Sequence, residues 1–351
     1  EYTSKIKREY AELRENYKRK ESAKEYISLG EARNNKVVIN WKEEKIVIPK
    51  NLGVTVLSDY LLSEIKEYID WTPFFRTWEM KGKYPDILRE EKIGIEATKL
   101  FEDANILLEK IIDQKLLKAN GVFGLFAANS VADDIEIYSN DSKGGLEAQF
   151  HTIRQQSKKS KSSKNVALSD FIAPKDSDIK DYIGFFAVTA GHGVDDLVKK
   201  YESTNDEYNA IMVKALADRL VEAFTELLHK KVRTYYWGYS TDENLSYDEL
   251  IKENYTGIRP APGYPAQPDH TEKIALFKML DVESNTGIKL TENLAMYPTA
   301  SVCGLYFANP KAKYFTTGKI MKDQVLDYHK RKGMSMEETE KWLQPILSYK
   351  F

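Results

Sequence analysis

The residues best suited to holding a charged ligand stand at 258–270, Ile-Arg-Pro-Ala-Pro-Gly-Tyr-Pro-Ala-Gln-Pro-Asp-His. Arg259 carries a planar guanidinium fork that matches a carboxylate or a phosphate. Prolines 260, 262, 265 and 268 each fix φ, remove a backbone donor and push the preceding residue toward extended geometry. The stretch therefore reads as a stiff, extended ribbon. It should expose unpaired carbonyls and the N–H groups of Ala261, Gly263, Tyr264 and Ala266. A ribbon ordered in advance loses little entropy when it meets a ligand. Composition alone favours the plainer reading, a surface crossover between two elements.

Other chemistry is sparse. His151, His192, His229, His270 and His329 show no H-x-x-x-H or H-E-x-x-H spacing, so a protein-bound zinc is not expected. His192 in Ala190-Gly-His-Gly193 reads as a turn rather than a phosphate nest, because no G-x-G-x-x-G or Walker pattern surrounds it. Cys303, the single cysteine, lies in an apolar run and reads as core rather than nucleophile. One cysteine also excludes an internal disulfide and favours a reducing compartment.

The elements that must position these groups follow from periodicity. Residues 1–20 are heavily charged, with Tyr2, Ile6, Tyr10, Leu13 and Tyr17 three or four apart, as on a solvated connector helix. Val37–Asn40 and Lys45–Ile48 suggest two short strands or a hairpin. A helix is expected over about 90–114, with Ile95, Leu100, Ala104, Leu107 and Ile111 on one face. Gly121–Ala128 and Ile135–Tyr138 read as buried and half-buried strands. Arg154 to Lys164 reads as a mobile, solvated basic loop. The longest periodic segment, Asp206–Thr234, is a helix whose stripe runs from Tyr208 and Ile211 through Leu216 and Phe224 to Leu228. Asp269 with Glu272 looks like a capping box opening a helix that Gly287 closes. Ser301–Ala308 and Lys313–Ile320 look like an antiparallel pair, and Ser335 with Glu338 caps a last helix through Leu343.

At 351 residues the chain can bury a large core, and strands that do not alternate with crossover helices argue for an α+β fold. Its 22 tyrosines and 14 phenylalanines suit a broad sheet with aromatic cross-strand pairs. A formal net charge of −2 gives no global field for nucleic acid or a membrane surface, and no apolar run is long enough to span a bilayer. The chain begins at Glu1 without a signal-peptide pattern and reads as a piece of something longer.

The ribbon closely resembles the Arg-Pro-Ala-Pro-Gly-Tyr-Pro-Ala signature of the C-terminal activation domain of cobalamin-dependent methionine synthase. Further blocks are similar to that family in the same order: Tyr68-Ile-Asp-Trp-Thr-Pro-Phe-Phe75, Gly121-Val-Phe-Gly-Leu-Phe-Ala-Ala-Asn129, Asp133-Asp-Ile-Glu-Ile-Tyr138, Ile211–Leu220, Tyr235-Tyr-Trp-Gly-Tyr239, Lys289–Glu292 and Arg331–Ser335. The chain departs from the family's motif at Gln267, where a cysteine is usual. The resemblance implies a C-shaped single domain, α+β, with a bent, twisted antiparallel sheet and flanking helices over 36–351, preceded by a charged interdomain linker helix over 1–35.

It also implies S-adenosyl-L-methionine as ligand, bound by Asp70, Glu222, Arg259, Ala261, Gly263, Tyr264 and Tyr314, with Glu253 and Phe315 as softer additions. Arg259 would hold the methionyl carboxylate in a bidentate contact, Asp70 and Glu222 the ammonium or ribose, and the backbone of Ala261 and Gly263 the adenine edge. No catalytic acid or base is implied, because methyl transfer from a sulfonium needs positioning rather than proton transfer. The implied role is reductive methylation of cob(II)alamin within a methyltransferase of methionine biosynthesis. Its partners are the cobalamin-binding domain of the same polypeptide and a flavodoxin-like electron donor, for which the basic loop is a candidate contact. No nucleic acid or membrane is implied, and the location is cytoplasmic. Cobalamin and zinc would belong to other domains in an absent N-terminal part, since no Asp-x-His-x-x-Gly motif or zinc-thiolate site occurs here. The isolated chain is thus expected to bind ligand without full turnover. The alternative is a free-standing module that activates a separate corrinoid protein in trans.

Overall fold

A computed structural model describes residues 2–22, 25–139 and 145–350. Six strands form one antiparallel sheet, and two more form a small ribbon. The main sheet comprises β1 (Gly53–Tyr60), β2 (Lys118–Val131), β3 (Asp134–Tyr138), β4 (Leu146–His151) and β5 (Asp181–His192). After the ribbon of β6 (Lys289–Leu290) and β7 (Met296–Tyr297), β8 (Ser301–Tyr306) completes the sheet. The order is β4-β3-β2-β5-β8, with β1 also on β2. Long β2 explains the arrangement. One of its edges pairs first with β1 (Val56 opposite Val122) and then with β3 (Ala128 opposite Ile137), while the other edge carries β5 (Phe123 opposite Phe186).

The expected α+β class is what is found, with apolar layers on both sheet faces. Phe123, Phe186, Val188 and Tyr306 face the helices Gly94–Asp113 and Glu207–Lys231. Val122, Phe126, Phe185, Ala187 and Leu305 face the helix Glu272–Leu280. A sheet covered on both sides loses the apolar–polar alternation, and β5 is accordingly buried along nearly its whole length. Among the described residues no helix is long and apolar enough to cross a membrane.

Several local expectations need correction. Residues 1–35 hold two helices, Tyr2–Ser22 and Leu29–Asn34, and the second is tied to the domain through Leu29 N to Asp323 (2.6 Å) and Arg33 to Asp133 (2.7 Å). On the first, Tyr10 and Leu13 are exposed, while the Tyr2 and Tyr17 side chains lie outside the described residues. Residues 37–48 form no strands. Ile39 O and Asn40 O accept from Trp41 N and Glu43 N within the segment, and Val47 O accepts from Trp237 Nε1 at 2.8 Å. Ile95 is exposed, although Leu100, Ala104, Leu107 and Ile111 are buried as expected. On the long helix Tyr208 and Ile211 are likewise exposed.

The polar segments depart most. Arg154 is not in a solvated loop: it is buried and grips Asp133 and Asp170, while Gln155 and Gln156 are buried beside it. Among the loop lysines, Lys158 pairs with Glu25. Asp269 and Glu272 make no capping box, because both reach the Lys332 ammonium and Tyr328 of the helix Lys322–Lys332. Residues 313–319 do not pair with β8, whose partner is β5; they run as an irregular flap. The Ser335 cap holds, with Glu338 N donating to its hydroxyl at 3.1 Å.

Candidate functional site

The ribbon is extended only at its start. Ile258 and Phe307 exchange both backbone hydrogen bonds, and Leu305 N donates to Pro260 O at 2.9 Å, so Arg259 is fastened alongside the end of β8. Gly257 makes this possible: its φ is +82°, and a Cβ there would stand 2.4 Å from Phe307 O. Beyond Pro260 the chain folds into tight turns rather than continuing straight. Tyr264 N donates to Ala261 O, Gly263 N to Gln267 O (2.7 Å) and Gln267 N to Tyr264 O (2.9 Å). Two of the four N–H groups expected to be exposed, those of Gly263 and Tyr264, are thereby spent, leaving Ala261 and Ala266. Gln267 is buried and anchors the turn to the sheet through Nε2 to His151 O (2.7 Å).

This folded ribbon forms one wall of a cleft of about 510 Å³. The helix Glu207–Lys231 contributes Glu222 and Thr225, β8 contributes Val302 and Cys303, and the flap contributes Tyr314, Phe315 and Thr316. A cleft of this size suits a small organic ligand. Of the residues expected to bind, Glu222, Glu253, Arg259, Ala261, Tyr264, Tyr314 and Phe315 all line it. Gly263 is turned away from it, against His270. Asp70 also lies outside the lining, where its carboxylate caps the helix Trp71–Thr77 by accepting from Thr72 N at 2.9 Å. Its neighbour Ile69 is held by the Tyr247 hydroxyl.

Arg259 is clamped from the protein side. Its Nη2 lies 2.8 Å from Glu226 Oε2, and its Nη1 donates to Tyr255 Oη at 2.8 Å and meets His229 Nδ1 at 3.0 Å. The Tyr314 hydroxyl accepts from Arg259 N at 3.0 Å and ties the flap to the ribbon. Burial works against the guanidinium's charge, but Glu226 together with Tyr255, Tyr314 and Tyr306 outweighs it and holds the pKa above its ordinary value. Burial also raises the Tyr314 phenol and pushes the Cys303 thiol up to about 12, so Cys303 is an inert wall residue. Glu226, His229 and Tyr255 were not among the expected residues. A signal existed in their spacing, since Glu222, Glu226 and His229 recur at i, i+4 and i+7 on one helix face.

Gly263 offers a direct check on the turn. Its φ is +93°, and a Cβ would fall 2.2 Å from the His270 ring. Gly263→Ala is expected to cost roughly 1–3 kcal/mol of stability and to displace the adjoining Tyr264. Thermal melting together with ligand titration measures both effects, and a variant as stable and as competent as the parent would mean the turn tolerates the substitution.

Among the described residues no group of three His, Cys, Asp or Glu side chains could hold a metal ion. Fold and cleft together define an α+β module whose cleft sets an arginine and two glutamates among aromatic walls. The chain matches the family described as vitamin B12 dependent methionine synthase, activation domain, over residues 61–333. A solved crystal structure of the MetH reactivation domain bound to AdoHcy is 51% identical, covers 93% of this chain and 99% of its own length, and superimposes with a TM-score of 0.90. The chain belongs to the activation-domain family of vitamin B12 dependent methionine synthase.

Proposed function

We propose that this chain binds S-adenosylmethionine in the cleft behind the 258–267 ribbon and presents its methyl group to a cobalamin carried by another domain. The observation that carries the reading is Arg259, a charged guanidinium fixed in a cleft that acidic Glu222 and Glu253 also line. A ligand bearing both a carboxylate and cationic centres fits that division of charge. The similar MetH reactivation domain, solved with AdoHcy bound, supports the same ligand class.

In this reading Arg259 takes the carboxylate, while Glu222 and Glu253 face the ammonium and offset the sulfonium. The free N–H of Ala261 meets the adenine edge, Gly263 shapes the turn that presents it, and Tyr264, Tyr314 and Phe315 wall the site. Asp70 is a proposed contact only for ligand atoms that extend beyond the cleft. Cobalamin, when docked, supplies the cobalt that accepts the methyl group, with one electron from a flavodoxin-like donor. The task of this chain is to hold the sulfonium in line and exclude water. Methionine synthesis in the cytoplasm, with the cobalamin domain as partner, follows from that role.

The test is ligand-induced stabilisation of the isolated chain. S-adenosylmethionine and its demethylated product should both raise the melting temperature, and a site filled at 100 times Kd contributes about 2.7 kcal/mol. No shift with either ligand far above physiological concentration would reject the reading.

A further inference from the structure

His229 sits on the helix Glu207–Lys231 and is completely buried. Its ring stacks on Tyr306 (centroids 5.2 Å apart, 12° between planes) and meets the edge of Tyr255 at 4.8 Å. Burial and the positive charges of Arg233 and Arg259 hold its pKa well below the ordinary histidine value, so the imidazole is neutral. A guanidinium can only donate, so Nδ1, 3.0 Å from Arg259 Nη1, is the acceptor. The ring proton must then reside on Nε2, which points to the Tyr239 hydroxyl at 3.4 Å.

Glu226, one turn earlier, and Tyr255 complete the clamp. Tyr255 is itself held in place by Arg233, whose guanidinium lies 4.1 Å from the centre of its ring and is locked by Glu243. An arginine has five donors, and the two on Nη1 are taken by Tyr255 and His229, while Glu226 Oε2 lies 2.8 Å from Nη2. Nε–H and one Nη2–H lie side by side on the guanidinium edge that the Nη1 contacts leave open. That edge has the spacing of a carboxylate.

We infer that Glu226, His229 and Tyr255 are specificity-determining positioning residues, which turn Arg259 so that one edge alone is offered and the cleft selects ligands by their carboxylate. The inference rests on the S-adenosylmethionine reading and adds how that ligand is told apart from adenosyl thioethers and sulfonium compounds without a carboxylate. It also explains why a helix face so deep in the core carries an acid and a histidine. They act on the ligand through Arg259 without touching it.

The experiment compares S-adenosylmethionine with its decarboxylated form, which differs only in the carboxylate, by calorimetric titration of the folded chain. His229→Phe keeps the stacked ring but removes the acceptor, and His229→Asn restores an acceptor near the position of Nδ1. The Phe variant should lose on the order of tenfold in affinity for S-adenosylmethionine and little for the decarboxylated ligand, with the Asn variant recovering much of the difference. Tyr255→Phe, which deletes a single hydroxyl, should shift the same ratio in the same direction and serves if His229→Phe fails to fold. Equal losses for both ligands would assign these residues a merely structural role and overturn the inference. Arg259→Met separates the two levels. If it leaves the ratio of the two affinities unchanged, the carboxylate assignment fails; if it collapses the ratio while the His229 and Tyr255 variants do not, only the positioning role fails.

Discussion

Arg259→Met is expected to weaken S-adenosylmethionine binding by more than about tenfold, with Arg259→Lys in between. Truncating one member of a buried, hydrogen-bonded charge pair typically costs roughly 2–5 kcal/mol, much of it from the stranded partner. Here the stranded partner in the free protein is Glu226, whose side chain is only 12% exposed. Part of the loss will therefore appear as reduced stability rather than reduced affinity. The double variant Arg259→Met/Glu226→Gln separates the two, since neutralising residue 226 should restore stability without restoring binding. Lysine reaches the same place with a point charge, but cannot satisfy Glu226, His229 and a ligand carboxylate together. Circular dichroism and titration of all three variants check this. Unchanged affinity in a folded methionine variant would remove Arg259 from the site.

The largest effect on stability is expected at Arg154, which is not among the cleft's lining residues. Its guanidinium is 1% exposed and binds Asp170 with two nitrogens, at 2.7 and 2.8 Å, while Nε donates to Asp133 at 2.7 Å. Arg154→Leu should cost roughly 3–5 kcal/mol, because it leaves Asp170 buried without a cation. Asp133 keeps Arg33 and suffers less. Burial penalises the Asp133 carboxylate, but Arg154 and Arg33 prevail and hold its pKa below the ordinary value. A lowered folded-state pKa contributes stability that is full above the unfolded value near 3.9 and is lost as pH falls through the folded value. The wild type should thus lose this contribution only in strong acid, and the leucine variant should show a flatter acid limb. Urea denaturation across pH 2–7 measures both. A cost below about 1 kcal/mol would be the behaviour of a solvated residue.

Arg154 also marks the limit of what could be read from the chain. Its neighbours are lysines, serines and glutamines, and local composition therefore pointed to a solvated loop. Its acids stand at 133 and 170, and nothing local announces them. Asp269 and Glu272 misled in the same way, matching a helix-start pattern while their partner Lys332 lay some sixty residues downstream. Elements governed by neighbours were legible: the Ser335 cap, the long helix, and strands β2 and β3. Strand pairing at 313–320 was not, because an aromatic and β-branched run such as Tyr314-Phe-Thr-Thr317 reads alike whether it joins a sheet or closes a cleft. Of the residues singled out from the sequence, Arg259, Ala261, Tyr264 and Tyr314 line the cleft. The clamp behind Arg259 was not named, since Glu226 and His229 acquire meaning only when Tyr255 and Arg259 fold against that helix.

The most direct test is a crystal structure of this chain with S-adenosylhomocysteine. The ligand should occupy the cleft between the 258–267 ribbon and the Tyr314 flap. Its carboxylate should lie about 3 Å from Arg259 Nε and Nη2, with the Glu226 and His229 contacts intact. Ligand seated elsewhere, or a carboxylate held by a different cation while Arg259 faces only Glu226, would contradict the assignment of this cleft.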